Sequence, residues 1–131
     1  MSVPSLPPCT ILIVDDNLQN LELLEAYLEL PGVRTLRATN GEEALQRVAE
    51  ERPDLILLDV MMPRMSGFEV CTKIKSDPGT RDIAIIMVTA LSEESDQERG
   101  KDCGTDDFVT QPVGRKDLLD RIARLLAARP K

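Results

Sequence analysis

Apolar residues fall along this chain in two alternating rhythms. Ile11–Val14 (ILIV), Leu55–Leu58 (LILL) and Ile83–Val88 (IAIIMV) are short unbroken runs. A strand with one wet face would alternate apolar and polar residues, so such runs predict parallel strands covered on both faces. Val33–Ala38 is more mixed and predicts a strand nearer an edge, and Phe108-Val109 predicts a last, short one. Between the runs the spacing changes to three and four. Leu18, Leu21, Leu24 and Leu28 form one helical stripe, closed by Pro31-Gly32. Ala44, Leu45, Val48 and Ala49 follow Thr39-Asn40-Gly41-Glu42, which resembles a capping box. Val70, Cys71 and Ile74 follow a second, Ser66-Gly67-Phe68-Glu69. Leu118, Leu119, Ile122, Leu125 and Leu126 make the strongest stripe.

One segment breaks the rhythm. Ser92–Asp102 (SEESDQERGKD) has no large apolar residue. It predicts either a helix with almost nothing of its own to bury, hence a loosely held and mobile one, or a plain loop, the helix being favoured.

Strand and helix thus alternate about five times, without internal repeats or long linkers. That order predicts an α/β fold, a (βα)5 doubly wound parallel sheet with right-handed crossovers. Ligands of such folds bind beyond the carboxyl ends of the strands. Here the apolar runs end in Asp15-Asp16, Asp59 and Thr89, so these residues should converge on one edge of the sheet.

Composition narrows the class. The 131 residues fit one domain, expected over 10–128, with a short Pro-rich leader at 1–9 and a tail at 129–131. With 42% hydrophobic and 30% charged residues the chain is of globular type. Tyr27, Phe68 and Phe108 are its aromatics, so the core must be aliphatic. A net charge of −7 argues against direct binding to nucleic acid or an anionic membrane. Cys9, Cys71 and Cys103 are odd in number and widely spaced, which suits reduced thiols rather than a disulfide frame or a zinc site. No stretch has the length of a membrane span, and the start lacks the pattern of a signal peptide. A cytoplasmic location is expected. Histidine is absent, which removes the commonest general base and any phosphohistidine chemistry on this chain.

Three carboxylates at one rim repel each other and need an offsetting charge. An oxygen-only set without nitrogen ligands suits Mg²⁺, which binds through a few carboxylates and keeps several waters. Asp59 ends the most apolar strand, and a carboxylate there can act as nucleophile toward a phosphoryl group. Thr89 offers a hydroxyl to the same group. Singly, each residue has a bland role: Asp15-Asp16 as a helix cap, Asp59 as a turn residue before Pro63, Thr89 as an ordinary strand residue. Their joint placement after separate apolar runs favours a site. Asp54, Asp102, Asp106, Asp107 and Glu42-Glu43 lack that placement and are expected as caps, turns or solvated faces.

Taken together, ILIVDDN, LILLDVMMPRMSGFEV, IIMVTA and GTDDFVTQPV, in this order and spacing, resemble the receiver domain of bacterial two-component response regulators. The resemblance covers residues 10–128 and implies a flavodoxin-like receiver fold. It implies that Asp59 accepts a phosphoryl group. Asp15, Asp16, Asp59 and the backbone carbonyl of Met61 would hold Mg²⁺, and Thr89 would contact the phosphoryl group. Phe108 would be the switching aromatic. A sensor histidine kinase or histidine phosphotransfer protein would be the donor. The output would pass to a downstream protein target or effector domain, or to a second copy of the chain, through Ser92–Asp102, Phe108-Val109 and Arg115–Ala128.

Gln111 departs from the pattern, because the family places a lysine before this proline. The resemblance suggests a cis Gln111–Pro112 bond all the same. A carboxamide donates hydrogen bonds but carries no charge. The chain is then either a phosphoacceptor with a weakened switch or a pseudo-receiver that docks or dimerises without phosphorylation. Enzyme readings fit poorly. An Asp-nucleophile phosphatase would want a second carboxylate where Met61 stands, a flavin carrier would want stacking aromatics, and no Walker A loop is present.

Overall fold

The computed structural model describes residues 6–90 and 94–128, with 94–97 as backbone only. Strands and helices alternate as β1 (Cys9–Val14), α1 (Leu18–Tyr27), β2 (Val33–Ala38), α2 (Gly41–Glu51), β3 (Leu55–Leu58), α3 (Gly67–Ser76), β4 (Ala84–Thr89), α4 (Glu94–Cys103), β5 (Asp107–Thr110) and α5 (Arg115–Ala128). The five strands are parallel in the order β2-β1-β3-β4-β5. After β2 the chain passes to the other side of β1, so the order reverses between β1 and β3. The crevice at that reversal is where an open α/β sheet offers a ligand site.

The unbroken apolar runs are explained by two separate cores. Ile11 and Ile13, Leu55 and Leu57, and Ala84, Ile86 and Val88 face one side of the sheet, where they pack with α1 and α5. Leu12 and Val14, Ile56 and Leu58, and Ile85 and Met87 face the other, with α2 and α3. Successive strand residues point to opposite faces, so burial on both faces requires every residue to be apolar. β2 lies at an edge and mixes buried with exposed positions, as its sequence predicts.

Several local expectations need correction. Leu18 is 56% exposed, so the α1 stripe is Leu21, Leu24 and Leu28. Leu28 already caps the end of α1, three residues before Pro31. α2 is capped by Asn40 rather than Thr39. The Asn40 side chain accepts from Glu43 N–H, and the Glu43 carboxylate accepts from Thr39 N–H at 2.6 Å. Ala49, on the same predicted stripe, is exposed. At α3 the frame is as read, with Ser66 accepting from Glu69 N–H.

The polar segment does form a helix, α4, over Glu94–Cys103; residues 91–93, including Ser92, lie outside the described ones. Its anchors are small. Gly100 and Cys103 are buried. A Cβ on Gly100 would meet the Phe108 ring at 3.1 Å, so glycine lets α4 lie directly on that ring. The Arg99 guanidinium stacks over Phe68 at 4.2 Å.

The other acidic residues act structurally. Asp54 accepts from Thr10 N–H at 2.7 Å, Asp106 accepts from Ile85 N–H and pairs with Lys75, and Asp107 takes both oxygens to Arg121.

Candidate functional site

Asp15 directly follows β1 and is buried, with 2% exposure. Its N–H donates to Ala38 O, and its Oδ1 accepts from Asn17 N–H at 2.9 Å. The N-cap of α1 is Asn17, whose side chain accepts from Asn20 N–H. Capping therefore consumes neither carboxylate of the acidic pair. Asp16 is exposed beside it. Asp59 follows β3, half-buried, with its N–H donating to Val14 O at 2.9 Å. One oxygen from each of Asp15, Asp16 and Asp59 lies within 4.8 Å of the others. The pairing of β1 with β3 thus brings two distant parts of the sequence into one acidic cluster.

The electrostatics follow from that geometry. Burial, then the neighbouring charges of Asp15 and Asp16, push the Asp59 carboxyl up to about 7; backbone N–H groups of Met61 and Val60 oppose the rise. Asp15 is also raised, chiefly by burial, with hydrogen bonds from Asn17 and Asn20 opposing and the charge of Asp16 adding. Among the described residues, the charged groups acting on Asp59 are Asp15 and Asp16, both acidic. An all-oxygen cluster under such repulsion fits a hard divalent cation.

Gly67 shapes this site, and the sequence reading placed it only as part of a cap. Its N–H donates to Val60 O at 2.9 Å. A Cβ there would come 2.2 Å from the backbone oxygen of Asp59. Glycine thus lets α3 start against the backbone that carries Asp59. A glycine at the first turn of a helix, where most residues are better formers, was the available signal.

Thr89 ends β4 and is fully buried. Its backbone oxygen accepts from Gln111 N–H at 2.7 Å, which places half-buried Gln111 beside it at the same sheet edge. The Gln111–Pro112 bond is cis. Met61 lies in the loop after Asp59 with its side chain 61% exposed. Phe108 sits apart from the cluster, half-buried in β5, paired with Met87 in register and turned to α4. The two cations that follow Gly114 are engaged elsewhere. Arg115 Nε donates to Tyr27 O at 3.1 Å, and Lys116 pairs with Asp120 at 2.9 Å.

The sequence profile of the response regulator receiver domain matches residues 11–123. The chain belongs to this family. Over 115 residues this receiver domain is 44% identical to the response regulator PleD of Caulobacter vibrioides, covering 88% of this chain and 25% of PleD. Over 117 residues it is 41% identical to the phosphate regulon transcriptional regulatory protein PhoB of Pseudomonas aeruginosa, covering 89% of this chain and 51% of PhoB. The receiver domain thus spans a quarter to a half of the length of these relatives. Among solved structures, the signal receiver domain of a signal transduction histidine kinase from Syntrophus aciditrophicus superposes with a TM-score of 0.85 at 39% identity, over 94% of this chain and 95% of that one. The fold is the flavodoxin-like receiver fold. Among the described residues, no helix is long and apolar enough to cross a membrane.

Proposed function

We propose that this receiver domain accepts a phosphoryl group on Asp59 from a histidine kinase or histidine phosphotransfer protein, with Mg²⁺ required. The observation that carries this reading is the cluster of Asp15, Asp16 and Asp59 at the reversal of strand order, with buried Thr89 ending the next strand, β4. Asp15, Asp16, Asp59 and the Met61 carbonyl would hold the ion. When bound, Mg²⁺ supplies positive charge that offsets the carboxylates and the incoming phosphoryl oxygens.

The chain's own residues do the rest. Asp59 must be ionised to attack phosphorus, and the Val60 and Met61 N–H groups favour that form. Its carboxylate oxygen forms the new bond to phosphorus while the bond to the donor nitrogen breaks. The product is an acyl phosphate on a half-buried side chain. Thr89 donates its hydroxyl to a phosphoryl oxygen. Gln111, held beside Thr89 through its backbone, donates an amide hydrogen where the family lysine would place a full charge. The signal leaves through protein contacts of α4, β5 and α5, with Phe108 as relay.

The test is incubation with acetyl phosphate and Mg²⁺ followed by intact mass. A phosphoryl adduct is expected, and Asp59→Ala abolishes it. No adduct from acetyl phosphate or from a cognate kinase overturns the proposal. It would leave the alternative, a docking or dimerisation module that works without phosphorylation, whose support is the uncharged Gln111.

A further inference from the structure

Cys71 and Cys103 stand 32 positions apart in sequence, yet the fold brings them into contact. Cys71 lies in the middle of α3 and is fully buried; Cys103 ends α4. The Cys71 thiol donates to Cys103 O at 3.2 Å, and the Cys103 thiol donates to Gly100 O at 3.0 Å. The two side chains also influence each other electrostatically. Cys9 packs in the other core, across the sheet.

Access distinguishes the two thiols. Cys103 reaches the floor of an open groove of about 480 Å³ between α3 and α4. The charged lining residues are Glu69, Lys73, Arg99 and Asp102. Cys103, 7% exposed, borders that groove, whereas Cys71 is fully buried and does not line it. The neighbouring Cys71 side chain draws the Cys103 thiol down, and that contact together with burial holds the Cys71 thiol well up.

We propose that Cys71 and Cys103 form a peroxide-oxidisable dithiol, a modification site that clamps α4 to α3 when it closes to a disulfide. The Cys103 thiolate attacks one oxygen of hydrogen peroxide. An S–O bond forms, the O–O bond breaks, and hydroxide leaves to become water with the thiol's former proton. The Cys71 sulfur then attacks the sulfenic sulfur, the S–O bond breaks, and the Cys71 proton leaves with the second hydroxide as water. Two thiols and one peroxide thus give one disulfide and two waters.

The position gives the bond a mechanical consequence. Among the described side chains of α4, Gly100 and Cys103 are the buried ones, and Gly100 rests on the Phe108 ring one turn before Cys103. A disulfide fixes α4 against that ring. Its effect on signalling rests on the relay role proposed for Phe108; its formation does not.

The test exposes the full chain, folded, to hydrogen peroxide, then alkylates and maps it without reduction. The expected result is a Cys71–Cys103 cross-linked peptide within one chain, with Cys9 still alkylated and dithiothreitol reversing the change. Cys71→Ala should stop at a sulfenic acid on Cys103 that dimedone traps, and Cys103→Ala should lose the reaction. Asp59→Ala should still cross-link, which separates this result from failure of the phosphoacceptor reading. Amide exchange across Glu94–Cys103 should slow several-fold after oxidation. Three alkylatable thiols after treatment, linkage between chains through Cys9, or sulfinic acid on Cys103 in place of the cross-link each overturn the dithiol. Unchanged exchange in the cross-linked protein overturns the clamp.

Discussion

Asp59 occupies a costly place for a carboxylate, half-buried between two others, and that cost has a pH signature. Its folded-state pKa lies near 7, above the ordinary value of 3.8. The protonated form is therefore favoured by folding. In protein stripped of metal, the stabilising contribution of this group is complete below pH 3.8 and declines as pH rises, levelling off above about 7. Asp59→Asn should remove the penalty. It should be more stable than wild type by roughly 2 kcal/mol above that range, after allowance for solvent screening, and the difference should vanish toward acid pH. Urea titrations across pH with EDTA check this. Gln111 belongs to the same scale. A charge-assisted hydrogen bond to the phosphoryl group is worth about 1.5–3 kcal/mol, more than tenfold in a two-state equilibrium. Gln111→Lys should therefore raise the phosphorylated fraction or the lifetime of the active form, and should weaken Mg²⁺ binding by adding a cation. No change in either measurement would mean that another cation already serves.

Among the elements, α3 and α4 differ most in how they are held. α3 buries Gly67, Phe68, Val70, Cys71 and Ile74. Among the described side chains of α4, the anchors are two small residues and a stacked arginine. Amides of α4 should exchange well before those of α3, measured in reduced protein. The start of α3 is more demanding. Gly67→Ala would force a methyl group to 2.2 Å from the Asp59 backbone oxygen, so the backbone must move. It should cost about 1–3 kcal/mol of stability and weaken metal binding together. Calorimetry with and without Mg²⁺ reads both. The sequence made most of these elements legible because their apolar spacing is regular. It misplaced caps by a residue, as at Asn40, because Thr39 and Asn40 are both good caps and only backbone geometry chooses.

For the whole molecule, the acidic cluster couples ion binding to stability. On the proposed site, Mg²⁺ would bind the folded arrangement of Asp15, Asp16 and Asp59, which the unfolded chain lacks. Mg²⁺ at a hundred times its dissociation constant should stabilise the domain by about 2.7 kcal/mol. Asp16→Ala should largely remove that gain. An undiminished Mg²⁺ shift in this variant would contradict the ion site.

The sequence by itself determined the βα alternation, the parallel sheet, the aliphatic core and the residues that end the strands. Each rests on local periodicity or on residue type, which a linear chain displays. It also carried Asp15, Asp16, Asp59 and Thr89, because unbroken apolar runs ending in polar residues point to one sheet edge. Only the tertiary structure decided what depends on distance between remote segments. It set three carboxylate oxygens within 4.8 Å, laid α3 against the Asp59 backbone at Gly67, and rested α4 on Phe108 through Gly100. It also joined Cys71 to Cys103, which sequence spacing had kept apart. Contacts of that kind arise from how helices settle on a sheet, and no periodicity along the chain encodes them.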